Sequence, residues 1–180
     1  LTRHAPALVL GCTGSLGTHL VRSLLARGTP VVGLVRRPRP DSPFKRERLF
    51  EQVRIVRGDI NDADALARLL AVHEVGAVYQ CAAGDSPPGT HALTRRVMSA
   101  VATGRPEAAV VVPLAAGTPA PRFRTTATGG LRVAFVRLSS ITPDAVAAMT
   151  AAADVVAAAD PVPTTGLWVT ADRPSLPRAA

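Results

Sequence analysis

Short apolar runs alternate along the chain with segments whose apolar residues recur every three or four positions. Residues 7–10 (Ala-Leu-Val-Leu) are an unbroken apolar run of strand length. Residues 18–27 then put Leu20, Val21, Leu24 and Leu25 on one helical face, with Gly28 where a helix C-terminus belongs. A second strand is predicted over 30–35, and the Pro-rich, charged stretch 36–48 reads as a loop. Further strands are predicted over 53–56, 77–83, 108–114 and 131–138, with a short last one over 167–169. A helix capped by Asn61 or Asp62 runs to about 73 with Leu66, Leu69 and Leu70 inward. Another over 90–103 aligns Leu93, Val97, Met98 and Val101, and Thr142-Pro143 opens an Ala-rich helix to about 158. Segment 115–130, rich in Gly, Pro and Thr, reads as loop.

Strands alternating with helices imply βαβ units, and so an α/β fold with a doubly wound parallel sheet. Right-handed crossovers then bring every strand C-terminus to one edge, where ligands bind. One domain over residues 1–172 is expected, with 173–180 as a frayed tail. Apolar residues make up 47% of the chain and aromatic ones only 3%, so Val, Leu, Ala and Ile must build the core. That composition suits a sheet covered on both faces.

No apolar run reaches the roughly 18 residues that signal a membrane span. Residues 1–6 lack the charged-then-apolar pattern of a secretory signal, and a cytoplasmic location is expected. Cys12 and Cys81 form neither a disulfide framework nor a metal site and read as small buried residues. No metal-ligand spacing is present. The net charge of +8 favours anionic ligands. Lys45 is the only lysine, and an Arg, Ala, Val and Pro bias is also what a GC-rich genome imposes, which weakens charge as an argument. The basic 36–48 loop lacks interleaved aromatics and the chain has no recognition-helix pattern, which argues against nucleic acid.

The spacing Gly11-x-x-Gly14-x-x-Gly17 falls between a predicted strand and a predicted helix. In that context the first glycine permits a tight turn, the second lets backbone approach a pyrophosphate, and the third lets helix pack on strand. The helix N-terminus adds free N–H groups and a positive dipole end. Gly11, Thr13, Gly14, Ser15, Leu16 and Gly17 are therefore the expected phosphate loop. An acidic residue after the second strand would bind the ribose 2′-hydroxyl of NAD; Arg36 and Arg37 stand there instead and fit the 2′-phosphate of NADP.

These glycines, with Gly58-Asp59-Ile60 after strand three and Ala82-Ala83-Gly84 after strand four, resemble the extended short-chain dehydrogenases/reductases. Within them the chain resembles the NAD-dependent epimerase/dehydratase family, above all nucleotide-sugar 4,6-dehydratases, over roughly residues 7–115 and loosely over 131–145. The resemblance implies a Rossmann-type fold, Asp59 and Ile60 flanking the adenine, and Ala82, Ala83 and Gly84 on the nicotinamide side. It also implies a Tyr-x-x-x-Lys pair on a helix between strands five and six, a Ser or Thr after strand five, and a C-terminal sugar-binding region. Here the only tyrosine is Tyr79, in strand four, and the only lysine is Lys45. Pro113-Leu114-Ala115-Ala116-Gly117 lacks the hydroxyl residue unless Thr118 substitutes, and part of the dimer-forming helix pair is missing.

Loss of a positioned acid/base typically costs about 10²–10⁴-fold in rate. Substitute candidates at the ligand edge are Asp85, Ser86 and His91, then Ser139, Ser140 and Thr142. His4, His19 and His73 read as surface residues. Two functions remain open. One is a repurposed bacterial biosynthetic enzyme that isomerises, dehydrates or cyclises a small-molecule or nucleotide-sugar-like ligand. The other is a non-catalytic NADP sensor, or an accessory to a partner enzyme, with a homodimer also open. NADP(H) is preferred over NAD(H), as a working or a vestigial ligand.

Overall fold

The computed structural model describes residues 5–37, 40–83, 87–115, 131–158 and 167–170, the last for backbone alone. Seven strands form one parallel sheet: β1 (Ala7–Leu10), β2 (Val31–Val35), β3 (Arg54–Arg57), β4 (Ala77–Gln80), β5 (Ala109–Ala115), β6 (Arg132–Leu138) and β7 (Leu167–Thr170). Their order is β3-β2-β1-β4-β5-β6-β7. The chain winds outwards one way from β1 to β3, then crosses back to β4 and winds the other way, so the switch point lies between β1 and β4. Leu10 pairs with Leu34 on one side and with Gln80 on the other.

Period-two burial explains the two cores. One set of strand residues, including Val9, Val35, Tyr79, Val111 and Val136, packs under α1 (Ser15–Ala26) and α5 (Pro143–Ala158). The alternate set, including Leu8, Leu10, Leu34, Val78 and Val110, packs under α3 (Ala63–Val72) and α4 (Pro87–Gly104). Central strands β1 and β2 are buried throughout, as strands covered on both faces must be. Edge strand β3 instead exposes Arg54, Ile55 and Arg57, and its arginines discourage another strand from pairing there.

At four places the elements differ from the sequence reading by more than one residue. The stretch 36–48 is not all loop: α2 (Pro43–Arg46) lies within it, and a 3₁₀ turn, Leu49–Glu51, follows. Ser42 caps α2 by accepting the Lys45 N–H at 3.3 Å, Pro43 occupies the first turn, and Phe44 is buried. Strand β4 stops at Gln80, before the expected residue 83, where the chain turns and Cys81 N–H donates to the Tyr79 carbonyl. Helix α4 begins at Pro87, earlier than expected. Helix α1 begins at Ser15 rather than 18, because Gly14 already serves as its cap position. Of the expected loop 115–130, Ala115 instead ends β5; residues 116–130 (Thr118 among them), Gly84, Asp85, Ser86 and the tail 173–180 lie outside the described residues.

Asp62, one of the two expected caps, begins α3: its Oδ1 accepts the Ala65 N–H at 2.9 Å. Asp62→Ala is expected to cost about 1 kcal/mol. For a chain of this size that lowers Tm by about 2–4 °C, readable by calorimetry, and an unchanged Tm would show that the cap is idle.

Candidate functional site

The β1–α1 turn is built by close approach. Gly11 has φ +80°, and a Cβ there would lie 2.7 Å from the Ala82 nitrogen. Only glycine tolerates both demands. Gly17 seats the first turn of α1 on the loop, since a Cβ there would lie 2.2 Å from the Gly11 oxygen. Thr18, 1% exposed, ties the turn together by donating to the Gly14 and Cys12 carbonyls at 2.8 and 3.2 Å. No side chain caps α1 and its first turn holds no acidic residue, in contrast to the Asp62 cap of α3. Its leading N–H groups and dipole are thus disposed towards an anion.

Above the switch point lies a cavity of about 900 Å³. The loop residues Gly11, Thr13 and Gly14 form one wall, and Arg36 and Arg37, both exposed, follow β2 on another. Gly58, Ile60 and Asn61 come from the β3–α3 turn, and Cys81, Ala82 and Ala83 from the end of β4. Gly89, Ala92, Leu93 and Arg96 close it from one face of α4. Of the expected cofactor residues, Gly11, Thr13, Gly14, Arg36, Arg37, Ile60, Ala82 and Ala83 are thus brought together. Ser15, Leu16 and Gly17 belong to the adjoining first turn and do not line the cavity.

Asp59 sits beside the cavity rather than on its wall. Its Oδ1 accepts both the backbone N–H and the Nδ2 of Asn61, each at 2.9 Å. The Asn61 bonds, with the charges of Arg36 and Arg96, hold the Asp59 carboxyl below the usual carboxylate range. The sequence marks Asn61 only as a candidate helix cap and does not mark Arg96; neither is expected there as a site residue. The available signal was the spacing of Gly89, Ala92, Leu93 and Arg96, which is one helical face.

His91 does not line this cavity; it lies on α4 with its Nε2 buried and without a partner among the described residues. Ser139 and Ser140 follow β6 and are exposed, and the Thr142 hydroxyl caps α5 through the Ala145 N–H at 3.2 Å. Tyr79 is buried in the core beneath α1 and α5, and burial, with Asp154 nearby, pushes its hydroxyl far above the ordinary tyrosine range. A proton-transferring tyrosine needs the opposite shift. Lys45 is exposed on α2, so these two residues form no catalytic pair. Among the described residues no group of His, Cys, Asp and Glu is placed to hold a metal.

Both cysteines are free thiols. Burial raises Cys12 from its ordinary 9.0 to about 11, and raises Cys81 as well. An unfolded Cys12 ionises near pH 9.0, whereas the folded one holds its proton until about pH 11. This contribution to stability is whole below pH 9.0 and is lost as pH rises through 11. Denaturant melts over that window are expected to show Cys12→Ala with a flatter alkaline decline than wild type. Parallel declines would contradict the shift.

The strand order, the switch-point cavity and the uncapped glycine turn define a doubly wound α/β domain of the nucleotide-binding type. Residues 7–106 match the family model described as the NAD dependent epimerase/dehydratase family, and the chain belongs to that family. No curated protein matches it. Among solved structures it is similar to a UDP-glucose-4-epimerase from Stenotrophomonas maltophila with bound NAD and formylated UDP-arabinopyranose. That match has 19% identity and TM-score 0.57, and covers 74% of this chain and 52% of the other. A candidate epimerase from Burkholderia cenocepacia J2315 matches at 27% identity and TM-score 0.53, covering 86% and 51%. A carbonyl reductase from Pseudomonas aeruginosa PAO1 matches at 17% identity and TM-score 0.65, covering 97% and 100%. The chain spans about half the length of the two epimerase-type structures. Among the described residues no helix is long and apolar enough to cross a membrane.

Proposed function

We propose that this chain binds NADP(H), in preference to NAD(H), in the switch-point cavity, and that its chemistry is not the hydride transfer of a Tyr-x-x-x-Lys enzyme. One observation carries the reading: an uncapped glycine turn and Arg36, Arg37 and Arg96 share one cavity, with no carboxylate among the described residues lining it. The residues fit the dinucleotide. Gly11, Thr13 and Gly14, with the first turn of α1 (Ser15, Leu16, Gly17), hold the pyrophosphate. Arg36 and Arg37 take the 2′-phosphate through charge-assisted bonds. Asp59 and Ile60 flank the adenine side, and Ala82, Ala83 and Gly84 the nicotinamide side. Residues 1–172 act as one nucleotide-binding domain, and two free cysteines suit a cytoplasmic setting.

A bound nicotinamide supplies hydride chemistry, but this chain places no tyrosine or lysine beside it. Tyr79 is buried elsewhere, and the sequence between β5 and β6 contains neither residue. The reaction is therefore isomerisation, dehydration or cyclisation of a small-molecule or nucleotide-sugar-like substrate in a bacterial biosynthetic pathway. Asp85, Ser86, His91 and Ser139 are the candidate proton carriers. A second reading, a sensor or an accessory to a partner enzyme or second copy, gains support from the cavity wall. None of its described lining residues is Asp, Glu, His, Tyr or Lys. The test follows reduced nicotinamide absorbance and product masses with NADPH and a panel of nucleotide sugars. A product of altered mass, or of unchanged mass but altered chromatographic retention where the reaction is an isomerisation, is expected of the enzyme without net NADPH oxidation, and no product of either kind is expected of the sensor. Sustained NADPH oxidation would overturn both.

A further inference from the structure

We infer that Arg96 is a specificity-determining residue, its guanidinium held by Asn61 so that the adenine base stacks against it. The inference rests on the dinucleotide reading above. With the pyrophosphate at the Gly11–Gly14 turn and the ribose read after β2, the adenosine half falls towards β2 and β3. The cavity wall there is apolar, from Leu34, Ile60 and Leu93, and its polar boundary is Asn61 with Arg96.

Arg96 does not stand alone. Its Nη1 donates to Asn61 Oδ1 at 2.9 Å, and Asn61 is itself fixed by two bonds to Asp59. The chain Asp59–Asn61–Arg96 thus ties the β3–α3 turn to α4 at the cavity's edge. An in-plane N–H bond fixes one edge of a guanidinium and leaves its faces open, which is the geometry for stacking on an aromatic ring. Asn61 and Asp59 are positioning residues, acting through Arg96. Arg36 and Arg37, exposed as Arg96 is, follow β2 and on that reading take the ribose 2′-phosphate.

The experiment compares wild type with Arg96→Leu, Arg96→Lys and Asn61→Ala, reading Kd for NADP⁺, NAD⁺, ADP and nicotinamide mononucleotide, and ligand-free Tm. Arg96→Leu is expected to weaken NADP⁺, NAD⁺ and ADP alike by about two- to fivefold, the scale of a guanidinium stacked at an exposed site. Nicotinamide mononucleotide, which has no adenine, and the ligand-free Tm should not move. Arg96→Lys should not rescue, because an ammonium lacks the planar face. Asn61→Ala should reproduce part of the loss. A loss confined to NADP⁺ would make Arg96 a phosphate contact and overturn the inference. So would unchanged affinities in Arg96→Leu while wild type binds. If wild type binds none of the dinucleotides, the parent reading fails instead.

Discussion

Gly17→Ala is expected to lower Tm by at least about 5 °C and to abolish nucleotide binding. The new methyl carbon would lie 2.2 Å from the Gly11 oxygen and 2.8 Å from the Cys12 Cα. Both are backbone atoms, so no side chain can swing aside. Relief requires α1 to lift from the β1 turn, and Leu20, Val21 and Leu24 carry that movement into the core. Overpacking of this kind costs about 1–3 kcal/mol, and more when backbone must move. Gly14→Ala separates the two effects. Its φ of −78° is ordinary, and the nearest obstacle is the Gly11 oxygen at 3.3 Å. That fold should survive, while the methyl intrudes where a pyrophosphate meets the backbone. Calorimetric melts and nucleotide titrations of both variants check this. A wild-type Tm for Gly17→Ala would contradict the packing argument.

The second large effect concerns Arg36 and Arg37. Hydrogen bonds to charged groups contribute about 1.5–3 kcal/mol. Replacing both arginines by alanine should therefore weaken NADP⁺ by about tenfold to a hundredfold and leave NAD⁺ nearly unchanged. Both side chains are exposed, so folding should be unaffected. Equal loss for the two nucleotides would mean that the arginines act by general attraction. No loss for either would remove them from the site.

The fold was legible where local pattern and global architecture agree. The apolar runs of β1 and β2, the Leu20–Leu24 face of α1 and the Asp62 cap of α3 need no tertiary knowledge. Helix α2 was obscured because the prolines and charges around it outweighed one Ser-Pro start, and because burial of Phe44 depends on elements distant in sequence. Strand β4 was overextended because Cys81 to Ala83 are as apolar as a strand. What ends the strand is the approach of Gly11, which no local signal reports. In the site, glycine spacing exposed the loop directly. Arg96 stayed hidden because its importance comes from Asn61, 35 residues away, and from the α4 face it shares with Gly89, Ala92 and Leu93.

The most direct test of the central claim is isothermal titration of the purified chain with NADP⁺ and NAD⁺ in the same buffer. Micromolar binding of NADP⁺, at least about tenfold tighter than NAD⁺, is the predicted result. No heat of binding with either nucleotide, with the chain shown folded by its melt, would contradict it.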